Sequence, residues 1–192
     1  MCGRFYVPTG ETEYFRQVLD DLKERGIGVK TGEVNPGDVA AVLANNRRLV
    51  PTAFGMKWGY RLATGKLVFN TRSETAAEKP LFQDGFAQRR CLIPAAHYYE
   101  WQQGDRGKTK FAIAPPDAEG LLLAGIYRLE QGQAVFSVLT RSPAEAVAEI
   151  HDRMPVILPQ EAAGDWLNPK YKAEEVLRSA VLDLVSRPVQ QV

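Results

Sequence analysis

Residues 120–140, GLLLAGIYRLEQGQAVFSVLT, decide the fold class of this 192-residue chain. Two apolar runs meet at Gln131-Gly132, a pair with turn chemistry, and both are rich in the branched and aromatic side chains that suit strands. TKFAIAP at 109–115 adds a third run just upstream. Outward from there, RCLIPA (90–95) and KLVFN (66–70) read as buried strands, and GRFYV (3–7) as a strand that ties down the amino terminus. VAAVLANNRRLVPTAFGMKWG (39–59) reads as a hairpin around Asn45-Asn46. TGETEYFRQVLDDLKERG (9–26) carries a helical stripe of Phe15, Val18, Leu19 and Leu22, with Thr9 placed to cap it and Gly26 to stop it. Short helices are expected after Ser142-Pro143 and near Pro159, and AEEVLRSAVLDLV (173–185) is read as a closing helical segment. This order contains no alternation of strand and helix and no glycine-rich phosphate loop. It predicts a single α+β domain over residues 1–192, mainly antiparallel strands curled into a barrel-like core with a few flanking helices.

Composition narrows the function classes. At 45% hydrophobic and 24% charged residues, the chain is that of an ordinary globular protein. Two cysteines and two histidines offer no paired ligand spacing, so no metal and no cofactor is expected. No secretory leader and no membrane-length apolar run is read, which gives a cytoplasmic expectation. A net charge of +1 argues against coating nucleic acid by bulk charge, but leaves room for a local arginine stripe.

Four polar stretches lie against apolar strand ends: MCGR (1–4), FNTRSE (69–74), HYYEW (97–101) and IHDR (150–153). Cys2 is small enough for Met1 to be removed, which would put an α-amine and a thiol on one residue. Their ordinary pKa values, about 7.7–8.0 and about 8.5, make both partly nucleophilic at neutral pH. Asn70 is by itself a turn former after a strand. Glu100 lies in an aromatic strand, either on the solvent face or in an apolar pocket that raises its pKa. His151 by itself reads as a structural histidine, and Asp152 with Arg153 as a surface ion pair. Together they supply a double nucleophile, a carboxylate, an imidazole, an orienting amide and arginines. That is equipment for carbonyl chemistry on an anionic substrate.

MCGRF (1–5), NTRSET (70–75), RCLIPA (90–95) followed by YYEW (98–101), and IHDRMPVIL (150–158) occur in an order that resembles the SRAP family, the SOS-response-associated peptidases that process abasic sites in DNA. The resemblance covers residues 1 to about 158. It implies a β-rich fold with a basic cleft for single-stranded DNA, including junctions with duplex, and a monomer with no obligate protein partner, in the cytoplasm or on the nucleoid. It further implies that Cys2, exposed by self-removal of Met1, captures the abasic aldehyde as a Schiff base that closes to a thiazolidine. In this carry-over Asn70 orients Cys2, and Glu100 and His151 are acid–base groups. Arg4, Arg72 and Arg153 look like phosphate contacts, and Pro36 and Trp101 like faces that pack on bases.

The chain departs from the family pattern at two places. The segment from Trp58-Gly59 to Asn70 is shorter and lacks a second tryptophan, and His97 stands where glycine is usual, as a neighbour of the pocket. Two other classes compete. An N-terminal-nucleophile glutamine amidotransferase also opens Met-Cys-Gly, but Arg4-Phe5 and the absence of its later motifs count against it. A non-enzymatic single-strand binding module would be indifferent to Cys2.

Overall fold

The 120–140 stretch forms a hairpin whose strands pair from Gly125↔Val138 to Glu130↔Gln133. Gln131 and Gly132 turn it with φ of 51° and 83°, the two left-handed positions that a tight two-residue hairpin requires. The structure is a computed structural model that describes residues 2–9, 12–104 and 107–189. Met1, whose removal the sequence reading invokes, lies outside the described residues.

The strands begin with β1 (Phe5–Val7), β2 (Gly32–Val34), β3 (Val39–Asn45), β4 (Pro51–Trp58) and β5 (Tyr60–Arg61). There follow β6 (Leu67–Val68), β7 (Asn70–Arg72), β8 (Arg90–Ala95), β9 (His97–Gly104) and β10 (Gly107–Ala114). The last five are β11 (Leu121–Glu130), β12 (Gln133–Arg141), β13 (Met154–Pro155), β14 (Ile157–Leu158) and β15 (Val185–Pro188). The helices are α1 (Glu13–Glu24), α2 (Gln83–Gln88), α3 (Glu145–Ala148), α4 (Ala163–Leu167) and α5 (Ala173–Val176).

Strands β4, β3, β8, β11 and β12 pair in that order, and β12 returns to β4, so five strands close on themselves. The β12–β4 and β12–β7 pairs are parallel; every other pair is antiparallel. A second sheet, ordered β15-β10-β9-β1-β2, packs against this barrel. The domain is the mainly antiparallel α+β barrel that the sequence predicts.

β8 shows why RCLIPA reads as an unbroken apolar run. Cys91, Ile93 and Ala95 pack with Phe5, Val34, Tyr98 and Ile113 of the second sheet. Leu92, on the other face, packs with Phe86 and Trp166 under the helices. A strand covered on both faces cannot alternate. Trp58 fills the first core, stacked parallel on Phe136 at 6.0 Å, with its indole N–H donating to the Phe69 carbonyl at 2.9 Å.

Several local expectations shift. α1 starts after Thr12 rather than at Thr9, and Gly26, at φ 70°, ends it as expected. KLVFN is not one strand: β6 pairs with β5, and a separate β7 pairs with β12. The closing helix is a correction. α5 stops at Val176, a 3-10 turn follows over Leu177–Ser179, and the chain then runs back as β15 along β10. An open edge on β10, with its unpaired amides and carbonyls, outweighs the helical spacing of the last residues. No helix among the described residues is long and apolar enough to cross a membrane.

The short segment after Trp58 is the β5–β6 hairpin. Gly59 enters it at φ 113°, and a Cβ there would lie 2.5 Å from Leu67 Cγ. Gly59→Ala is therefore expected to cost about 1–3 kcal/mol of stability in urea unfolding. Gly164→Ala, in α4 with no heavy atom near its Cβ position, should cost nothing.

Candidate functional site

The β1–β9 ladder pairs Phe5 with Tyr98 and Tyr6 with His97, and the Tyr99 amide donates to the Arg4 carbonyl at 2.8 Å. This draws Cys2 into the core between barrel and sheet, where it is fully buried. The Asn70 side-chain amide donates to the Cys2 carbonyl at 2.8 Å. Asn70 is held in turn by the β7–β12 register and by a 2.8 Å hydrogen bond shared between the Thr71 and Ser137 hydroxyls. Burial pushes the Cys2 thiol well up, and the Glu100 charge acts in the same direction. Burial thus works against the partly ionised thiol that the sequence reading expects. Cys91 is a second buried free thiol, not a disulfide partner.

Alternation along β9 decides where Glu100 points. Tyr98 and Glu100 face inward, and Glu100 is 3% exposed. Burial raises its carboxyl above the usual range, while the nearby His151 charge pulls it back. Of the aromatic neighbours that the sequence supplies, only Tyr98 shares this face. His97, Tyr99 and Trp101 occupy the other, where His97 stacks on Tyr6 at 5.0 Å and meets the Tyr99 ring edge-on at 4.8 Å. His97 is thus not a neighbour of the Glu100 pocket, a correction that follows from the strand's period of two.

His151 follows α3, and its Nδ1 lies between two partners. The Arg153 backbone N–H donates to it at 3.0 Å, and Asp152 Oδ1 lies 2.7 Å away. A neutral ring accepts from the first and a protonated ring donates to the second, so each protonation state has a partner in place. Asp152 therefore pairs with His151 rather than with Arg153.

The three arginines differ in what holds them. Arg4 lies over the Trp101 ring at 5.1 Å, donates to Asn35 Oδ1 at 2.8 Å and pairs with Glu33 at 3.0 Å. Half-buried Pro36 follows Asn35 in a turn completed by Gly37 at φ 98°. Lys110 also pairs with Glu33 and lies 3.8 Å from the Tyr99 centroid. Burial works against the Glu33 charge, but Lys110 and Arg4 together hold its carboxyl low. Arg153, whose side chain is 12% exposed, makes a two-pronged pair with Glu74, at 2.8 Å on each prong, and donates to the Thr140 carbonyl at 2.7 Å. That hydrogen bonding holds the Glu74 carboxyl below its usual range. Arg72 is exposed, and no hydrogen bond holds its guanidinium among the described residues.

Cys2, Asn70 and Glu100 thus meet in one buried site with His151 beside it. Arg4, Trp101 and Pro36 form one group, and Arg72 and Arg153 a second at the end of β7. Sequence reading missed Glu74, Glu33 and Lys110, and took Tyr98 only as an aromatic neighbour of Glu100. Tyr98 was legible by alternation from Glu100; the Glu33 and Lys110 contacts join distant segments and leave no local signal. Among the described residues no group of three or more His, Cys, Asp or Glu side chains is placed to hold a metal ion.

A family model described as SOS response associated peptidase (SRAP) matches residues 1–192. The abasic site processing protein YoaM of Bacillus subtilis is 31% identical over 194 aligned residues, 95% of this chain and 86% of its own length. The abasic site processing protein YedK of Escherichia coli is 27% identical, over 91% of this chain and 83% of its own. The crystal structure of a protein from Bacteroides thetaiotaomicron superposes with a TM-score of 0.81 at 21% identity, covering 98% of this chain and 92% of that one. That likeness is one of fold.

Glu100 makes a prediction about pH. A carboxyl whose folded pKa is raised gives up stability as pH climbs from its unfolded value, about 4.3, through the raised one. Glu100→Gln removes that loss. The variant's melting temperature relative to the parent is expected to be higher at pH 8 than at pH 4.5. An equal difference at both pH values would mean that burial does not control this carboxyl.

Proposed function

The chain belongs to the SOS response associated peptidase family, and from that premise we propose that it captures abasic sites in single-stranded DNA covalently through Cys2. The observation that carries the reading is the meeting of Asn70, Glu100 and Cys2 in one buried site. Removal of Met1, by the chain itself or by an aminopeptidase, turns the Cys2 peptide nitrogen into an amine. The Asn70 amide keeps the Cys2 backbone in place while that amine adds to the C1′ aldehyde of the ring-opened sugar. A C–N bond forms, and the carbonyl oxygen leaves as water once it is protonated. A carboxyl whose pKa burial raises is suited to give that proton, which is the part assigned to Glu100. The thiol then adds across the C=N bond. Sulfur bonds to C1′, the thiol proton passes to nitrogen through the Glu100 carboxylate, and a thiazolidine results. A Cys2 thiol pushed up by burial favours this order, with amine first and sulfur second. His151, with a partner for each protonation state, is assigned to opening the sugar ring.

The strand's phosphates are assigned to Arg72 first, because no hydrogen bond or ion pair among the described residues has to be broken to free its guanidinium. At Arg4 and Arg153 a phosphate would compete with Glu33 and Glu74. Trp101 and Pro36 supply faces for neighbouring bases, a contact indifferent to sequence and suited to a lesion without a base. The protein is read as a cytoplasmic, nucleoid-associated monomer that needs no cofactor and no protein partner, acting on single strands or their junctions with duplex.

The test is incubation with a single strand carrying one abasic site, followed by a denaturing gel and intact mass. The parent is expected to lack Met1 and to form a heat-stable adduct. Cys2→Ala should form none, and Cys2→Ser only a labile imine trappable with borohydride. Glu100→Gln should slow capture by about 10²–10⁴-fold without weakening binding to undamaged strand. An active protein that retains Met1, or an adduct that survives Cys2→Ala, would refute the mechanism.

Binding has its own signature. Arg72→Ala is expected to weaken single-strand binding and to lower the slope of log affinity against log salt by about 1. Capture should recover at saturating DNA. An unchanged slope would remove Arg72 from the phosphate track.

A further inference from the structure

In the buried site, Asn70 Oδ1 and the Tyr98 hydroxyl have no hydrogen-bond partner among the described residues. Tyr98 is fully buried and lies two residues before Glu100 on the inward face of β9. It packs in the same core cluster as Cys2, opposite Phe5 in the β1–β9 ladder. Buried hydroxyls in folded proteins find partners, and one left without is expected where a ligand completes the site. The two orphans are complementary. Asn70 Oδ1 accepts, and the amine of a processed Cys2 has N–H groups to give. Tyr98 can donate, and the other member of the reacting pair is a carbonyl oxygen.

We propose that Tyr98 is a catalytic residue that donates its hydroxyl hydrogen bond to the oxygen on C1′ of the abasic sugar as the Cys2 amine adds. This rests on the reading of the site as one for the abasic aldehyde. As the C–N bond forms, the carbonyl π electrons move onto that oxygen, and a fixed donor favours the charge that develops. Tyr98 does not give up its proton. Burial, and after it the Cys2 and Glu100 charges, push its phenol well up, so it stays a donor wherever the amine is nucleophilic. The proton that turns the oxygen into a leaving water comes from Glu100. The two residues therefore divide the work, one by polarising and one by proton transfer.

Tyr98→Phe tests this because it removes one oxygen and keeps the ring. With saturating single-stranded DNA carrying one abasic site, the variant is expected to form adduct on the order of 10²-fold more slowly than the parent. The slowing should be the same from pH 5 to 8, unlike that of Glu100→Gln, which changes as the carboxyl titrates. Its melting temperature and its affinity for undamaged strand should equal or exceed the parent's, since the lost hydroxyl had no partner to lose. Equal capture rates in parent and variant would overturn the inference and leave the Cys2 mechanism standing. Slowing matched by a lower melting temperature and weaker binding would overturn it in favour of a packing role. Absence of any adduct in the parent would overturn the Cys2 mechanism and this inference with it.

Discussion

One backbone hydrogen bond, from the Tyr99 amide to the Arg4 carbonyl, fastens the beginning of the chain to the strand that carries Glu100. A chain end is ordinarily the least ordered part of a domain. Here β1 is an inner strand, with β2 on one side and β9 on the other, so the first residues are held as firmly as a core element. Everything at the site follows from that position. Cys2 is buried because β1 lies over the barrel, Asn70 reaches its carbonyl because β7 runs beside β12, and Glu100 is kept from water by the same core that holds Phe5 and Tyr98.

β9 then separates two kinds of chemistry by its period of two. Its inward side chains, Tyr98 and Glu100, are buried with Cys2, where exclusion of water works against their charged forms. Its outward side chains, His97, Tyr99 and Trp101, form a ladder of rings on which Arg4 and Lys110 rest. The cations beside the site are largely held by carboxylates: Arg4 and Lys110 share Glu33, and Arg153 takes both oxygens of Glu74. This is how a chain with a net charge of +1 keeps arginines at one place. The Arg4–Glu33 pair is partly exposed, where the net contribution of an ion pair is small and screened, whereas Arg153 is mostly buried and held on two prongs.

Most of the fold was legible because its strands announce themselves by composition and its turns by residue type. Gln131-Gly132 turns where expected, and the expected β3–β4 hairpin forms with its turn just beyond Asn45-Asn46, closed by the Asn46 amide donating to the Val50 carbonyl. Two strand misreadings share a cause. At 173–185 local spacing favours helix, but β10 offers an unpaired edge, and at 66–70 one apolar run serves two different partner strands. Pairing between distant segments decided both, and spacing along the chain carries no information about it. Thr12 rather than Thr9 begins α1, a shift of one turn that leaves Phe15 and Leu22 buried as read.

The amino-acid sequence by itself determined the fold class, the family and the residue types at the site, because apolar patterning, turn chemistry and short motifs are local properties. It left open which way Glu100 faces and which cations are paired, and it took no account of what burial does to the Cys2 thiol. Only the tertiary structure decided these. The Glu100 carboxyl and the Cys2 thiol are both pushed up because water is excluded by side chains far away in sequence. Arg72 is exposed while Arg153 is held, because Glu74 reaches the latter across 79 residues of sequence. Solvation and charge pairing are sums over neighbours in space, and those neighbours exist only once the chain has folded.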